Sequence, residues 1–259
     1  MDADSPGGGQ GMKFLRVWMA VCLMTVTVSA FAMPPNRKLA EIRSQLALEY
    51  ARLGNMAVAV QTVNEAIEAD ASYAPAFLTK AYLQSQLGQD GDAEQSYLKA
   101  LQLDPGNPEA NNNYGFFLCE HQHPQTAIDF FNKALANPLY QTPQTAYLNL
   151  GRCSAKLGQV DKANDYLLSA LRIVPDYQPA LRELAVLHLD QGNAKLAAFY
   201  FDRLMRTAGT AGPLPADTLW LGVQIARRNG DRVHEAEYGA ILKNRFPDSK
   251  ETQLLLSGN

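Results

Sequence analysis

The stretch NNNYGFFLCEHQHPQTAIDFFNKALANPLYQTP, residues 111–143, carries the punctuation that decides the fold. Gly115 sits inside one apolar segment and Ala127 opens a second, twelve residues later. Between them EHQHP, residues 120–124, reads as a polar turn. Pro143 then opens the next segment, where its fixed dihedral and missing N–H suit a first helical turn but not a helix interior. The unit is therefore helix, turn, helix.

Working outward, the same unit recurs along the chain. Small residues Ala47, Ala81, Gly115, Gly151, Ala185 and Gly222 stand at intervals of 34, 34, 36, 34 and 37 residues. A second series, Ala59, Ala93, Ala127, Ala163, Ala197 and Ala236, follows the first by twelve residues in five units and fourteen in the sixth. The segments between hold turn signals: LGN, LGQ, EHQHP, LGQ, QGN and RNG. Junctions such as EADASYAPAF, LQLDPGNPEA and RIVPDYQPAL place Pro where one helix ends and the next begins. Small residues let two helix backbones approach at their crossing, and the large residues Tyr97, Phe131, Leu167 and Phe201 fill the space beside them.

This period and its Ala, Phe and Pro landmarks resemble the tetratricopeptide repeat (TPR). The resemblance implies an all-α superhelical solenoid of six helix-turn-helix units, at 40–73, 74–107, 108–143, 144–177, 178–212 and 215–250, with a tail at 251–259. The fifth unit ends in the Gly and Pro linker RTAGTAGPLP. The sixth is expected to carry an insertion around NGDRVHE and to be either a working repeat or a polar cap. On the usual TPR frame the first helix of each unit lines a concave surface. That frame projects Leu48, Leu78, Tyr82, Asn112, Phe116, Leu148 and Arg152 onto a protein-binding groove that is apolar with a few amides.

Composition agrees with a folded chain and narrows its partners. Hydrophobic residues make up 47% of the 259 and charged residues 19%, enough to bury a core. Formal net charge is -3 and the 23 basic residues are scattered, so no footprint for nucleic acid is present. The long apolar run FLRVWMAVCLMTVTVSAFA, residues 14–32, follows Lys13 and ends in small residues spaced A-x-A. It reads as a secretory signal over 1–32 cleaved after Ala32, with Met12 the natural start and 33–39 a linker. An uncleaved anchor and lipidation at Cys22 are the alternatives; Val21 and the short apolar stretch after Arg16 fit a lipidation signal poorly.

Cys119, His121, His123 and Cys153 are zinc-compatible in number. Residues two apart on a helix point about 200° from one another, so Cys119 and His121 share a metal only if the helix ends between them. No metal and no cofactor is expected. The position matching Cys119 in the next unit is Ala155, and Cys153 lies two residues earlier, turned back toward Cys119. A Cys119–Cys153 disulfide is therefore expected, with two free buried thiols as the alternative. No phosphate loop, nucleophile elbow or paired carboxylate motif is present, so the chain reads as a non-enzyme.

NNNYGFFLCE together with ALANPLYQTPQTAYLNLGRC resembles a specific segment of the type IV pilus biogenesis and stability family, known as PilF or PilW. The residues carrying it include Asn113, Tyr114, Gly115, Phe117, Leu118 and Cys119, with the two-residue longer junction after NPLY. The resemblance implies an exported, periplasmic protein, in some members lipid-anchored at the outer membrane. Its implied partners are the type IV pilus secretin or other pilus assembly proteins. It implies a pilotin-like scaffold, read here as a monomer, that promotes secretin assembly, localisation or stability. The rival reading is an adaptor of an envelope polysaccharide or lipid export complex.

Overall fold

A computed structural model describes residues 35–208 and 214–258. The expected signal sequence, Met12 and Cys22 lie outside the described residues, as do 209–213 of the Gly and Pro linker. The described residues form helices joined by short turns. They pair as α1 (Arg37–Arg52) with α2 (Met56–Ala69), α3 (Ala74–Gln86) with α4 (Asp90–Leu103), and α5 (Pro108–Glu120) with α6 (Pro124–Leu135). The series continues as α7 (Pro143–Lys156) with α8 (Val160–Ile173), α9 (Gln178–Asp190) with α10 (Ala194–Ala208), and α11 (Ala216–Asn229) with α12 (Arg232–Arg245). A short α13 (Lys250–Leu256) lies against α11 and α12. The first helix begins at Arg37, inside the stretch read as linker.

Helix starts follow the sequence signals. Proline occupies the first turn of α3, α5, α6, α7 and α9. Asn36, Asn107, Asp231 and Ser249 cap their helices by accepting from the backbone N–H three residues on. Every turn inside a unit is built alike. One residue takes the left-handed conformation, and the next sends its N–H back five residues to a helix carbonyl, as in Asn55 to Tyr50, Gln159 to Ser154 and Asn193 to His188 at 2.8–2.9 Å. Glycine fills the left-handed position in five of the six turns, with φ of 69–80° at Gly54, Gly88, Gly158, Gly192 and Gly230. The exception is Gln122 in the third, at φ 66°.

These turns set the register of the packing. Counting back seven residues from each left-handed residue gives Ala47, Ala81, Gly115, Gly151 and Ala185, all buried. A methyl on Gly115 would stand 2.8 Å from the Phe131 ring, and one on Gly151 2.6 Å from Leu167. Those distances leave no room for a side chain at either crossing. Nine residues beyond the turn stand Val63, Tyr97, Phe131, Leu167 and Phe201, which fill the core.

Unit six reverses the scheme. Counting back from Gly230 reaches Val223, not Gly222, and counting forward nine reaches Gly239. The turn holds no insertion, and Ala236 is exposed rather than packed. Small and large have changed places, with Val223 fully buried and Gly239 lying under Leu255 of α13. Gly222 still lies at a close approach, where a methyl would meet Phe201 of α10 at 2.6 Å and Tyr238 of α12 at 2.8 Å.

Cys119 of α5 and Cys153 of α7 form a disulfide with their α-carbons 6.0 Å apart. Closing 34 residues of chain in the unfolded state stabilises the fold by about 4 kcal/mol on loop-entropy grounds. His121 stacks on Phe117, bonds the Phe117 carbonyl oxygen at 2.8 Å through Nδ1 and faces Asp90 at 3.2 Å through Nε2. His123 is exposed at the start of α6. No group of three or more metal-ligating side chains occurs among the described residues.

His188 on α9 is buried against Tyr200, with neither ring nitrogen hydrogen-bonded. Burial holds its imidazole below the ordinary value.

Two outcomes are expected. Gln122→Gly removes the side-chain penalty of a left-handed residue and raises stability by about 1 kcal/mol, read as a higher urea midpoint at unchanged m-value. Below about pH 6.5 the unfolded chain protonates at His188 while the folded chain does not, so stability falls as pH drops toward the depressed folded value. His188→Phe keeps the stack and removes this contribution; urea titrations at about pH 7 and about pH 5 then differ less than in the wild type.

Candidate functional site

The first helices α1, α3, α5 and α7 together line a groove of about 550 Å³. Its residues fall into rows defined by the repeat. The residue after each small crossing position gives Leu48, Tyr82 and Phe116, each more than two-fifths exposed although apolar. Two and three residues before the crossing come Thr79, Asn113 and Asn149, with Leu78 and Asn112 beneath them. Pro75 and Thr145 border one side and Tyr97 of α4 closes the floor. Among the described residues no carboxylate, ammonium or guanidinium lines it.

The amides are hydrogen-bonded in series. Asn149 donates Nδ2–H to Asn112 Oδ1 at 3.0 Å, tying α7 to α5, and Asn112 donates to Asn113 Oδ1 at 3.3 Å. Asn112 and Asn149 are nearly buried, whereas Asn113 is exposed. Covering the free parts of Leu48, Tyr82 and Phe116 is worth roughly 1 kcal/mol each to a partner with matching apolar side chains.

Five of the residues projected from sequence, Leu48, Leu78, Tyr82, Asn112 and Phe116, meet in this groove. Leu148 does not: it joins the core with Leu181 and Leu184 of α9 and is 3% exposed. Leu78 and Asn112, at the same repeat position in units two and three, do line the groove, whereas in unit four Leu148 belongs to the core cluster that includes α9. Arg152 continues the row of Phe116 but leaves the groove. It pairs with Glu183 at 2.9 Å, Glu183 also meets Arg182 at 3.5 Å, and Arg182 reaches Asp217 at 2.6 Å. This chain of charges lies at a separate cleft lined by Arg152, Arg182, Leu214 and Asp217. The sequence projection missed Thr79, Asn113 and Asn149 as lining residues; their signal was a polar residue recurring two positions before the small one.

The remaining motif residues support the groove from behind. Tyr114 donates to Glu94 Oε1 at 3.0 Å, and burial together with that bond pushes its phenol up to about 12. Its ring meets Phe130 edge-on at 4.8 Å and lies beside Tyr97 and Phe117. Phe117 and Leu118 are buried with it, Gly115 admits Phe131, and Cys119 ties α5 to α7. One helix thus serves three neighbours: Asn112, Asn113 and Phe116 face the groove, while the other motif residues fix where that face points.

A repeated helical hairpin with small residues at its crossings and an open groove on its first helices defines a tetratricopeptide repeat protein, and tetratricopeptide repeat families match residues 40–73, 74–107, 96–129 and 148–213. The type IV pilus assembly protein PilF of Pseudomonas aeruginosa is 30% identical over 209 residues, covering 81% of each chain. The crystal structure of PilW, described as a widely conserved type IV pilus biogenesis factor, superposes with a TM-score of 0.77 at 36% identity, over 85% of this chain and all of that one. The solved Pseudomonas aeruginosa PilF gives 0.71 at 28% identity, over 86% and 98%. The chain belongs to the PilF/PilW family of type IV pilus biogenesis proteins, which are repeat scaffolds rather than enzymes.

Phe116→Asp is expected to lower binding of an apolar fluorescent dye to the native protein while leaving helical circular dichroism intact. Leu148→Asp, which buries a charge without a partner, is expected to lower the thermal midpoint instead.

Proposed function

We propose that the chain is an exported scaffold of type IV pilus biogenesis that holds an apolar segment of a pilus assembly protein in the groove on α1, α3, α5 and α7. The partner we favour is the secretin, and the site of action the periplasmic face of the outer membrane. Bound there, the scaffold acts by differential affinity: binding the assembly-competent secretin subunit more tightly than the free one shifts the population toward the ring. The observation that supports this reading is an uncharged groove with three half-exposed large side chains, in a chain related to PilF along most of its length. Among the described residues no helix is long and apolar enough to cross a membrane, so in this reading attachment depends on the N-terminal segment or on the partner.

Deletion of the gene is expected to abolish twitching motility and heat-resistant secretin multimers, with rescue by the wild-type chain and not by Phe116→Asp. Multimers at normal level in the deletion strain would remove the secretin from the proposal. Normal motility and piliation would remove pilus assembly altogether.

A further inference from the structure

Units two to five each sit on the unit before them through fixed positions of their first helix. Two residues past the small crossing residue stand Leu83, Phe117, Cys153 and Leu187, and one residue before it, in units three to five, Tyr114, Leu150 and Leu184; all are buried. Phe117 lies 5.4 Å from the Tyr97 ring, Tyr114 bonds Glu94 and Cys153 joins Cys119, in each case across to the preceding unit. Five residues before the crossing come Ala76, Ala110, Ala146 and Ala180, an alanine every time and fully buried.

The same positions in unit one hold Ile42, Leu46 and Glu49, and Leu39 extends the stripe by one turn. Among the described elements α1 meets only α2 and α3, and Leu39, Ile42 and Leu46 are 36–49% exposed. A solenoid end that faces water needs a polar cap, and this one is apolar. Nor is it shaped for another repeat, because Ile42 stands where repeat stacking takes an alanine. The opposite end is closed, with α13 on α11 and α12 and Leu255 over Gly239. A head-to-tail row of copies fits neither end. The pairing left to a second copy is two-fold, open end to open end.

The stripe is complementary to itself. At 3.6 residues per turn, Lys38 and Glu49 fall on one flank of it and Arg43 on the other. A second α1, reversed about a point beside Ile42, sets Leu39 opposite Leu46 of the second copy and Ile42 opposite its own counterpart. Lys38 then comes within side-chain reach of Glu49 of the second copy, which supplies each open end with the cation that Glu49 calls for. Lys38 now pairs with Glu41 at 3.0 Å and Glu49 with Arg52 at 2.8 Å, exposed pairs within one helix that are exchanged at little cost. Arg43 is bonded to Glu65 of α2, so it does not repel its counterpart.

We propose that two copies of the chain pair antiparallel through α1, burying Leu39, Ile42 and Leu46 and crossing Lys38 with Glu49. Leu48 lies on the far side of α1, so both grooves stay open in the pair. A partner built of repeated subunits is then gripped at two points.

The test is sedimentation velocity on the chain purified from cell envelopes, across the micromolar range where so small an interface acts. The mass is expected to rise from one copy to two with concentration, and Phe116→Asp to leave that rise unchanged. Ile42→Asp is expected to abolish it with helical circular dichroism intact, and Glu49→Lys to weaken it about tenfold. Adding Lys38→Glu to Glu49→Lys restores the charge pairing and is expected to recover the association. A single copy at every concentration, or pairing that survives Ile42→Asp, overturns the proposal. Pairing that Ile42→Asp removes but the double charge reversal fails to recover overturns the antiparallel arrangement. A different protein that co-purifies with the wild type and is lost with Ile42→Asp, while the chain itself stays single, gives the face to that protein and overturns the second copy.

Discussion

The structure depends on how closely two helices approach where they cross. Gly115 and Gly151 have no side chain because the Phe131 ring and the Leu167 side chain occupy the space where one would stand. That single exclusion fixes the angle of each hairpin, and the hairpin angle decides which residues of the first helix remain uncovered. Tyr82 and Phe116 are exposed because the residues just before them are clamped against a second helix. The exposed apolar face is what is left over from the packing face.

The repeat was legible because the constraint recurs. A small residue, a turn and a second small residue twelve positions later recur five times with little drift, the spacing of a repeated helical hairpin. The sixth unit escaped the same reading. Gly222 is covered as closely as Gly115, by Phe201 and Tyr238, but Ala236 is exposed and the turn at Gly230 puts Val223 and Gly239 at the register of the earlier crossings. The size order inverts there because α13 supplies Leu255 from the other side. A period in the sequence reports packing between like units, and the last unit packs against something different.

The groove was partly legible for a related reason. A position in the repeat predicts direction but not cover. Leu78, Asn112 and Leu148 occupy the same place in successive units, yet the first two line the groove and Leu148 joins the core cluster that holds Leu181 and Leu184 of α9. Arg152 likewise points with Phe116, but Glu183 of the next unit claims it. The sequence showed the apolar stripe of units one to three and could not show where the stripe stops, because that boundary is made by side chains one repeat away.

The Cys119–Cys153 bond has a mechanical consequence. It spans from α5 to α7, the same pair of helices that Asn112 and Asn149 join on the groove side. Neighbouring units elsewhere are held without a covalent tie, by side-chain packing and by polar contacts such as Asn137 to the Gly106 carbonyl. A load on the solenoid therefore spreads unevenly. The third and fourth units are the one neighbouring pair among the described residues that a covalent bond ties together, like two coils of a spring clamped to each other.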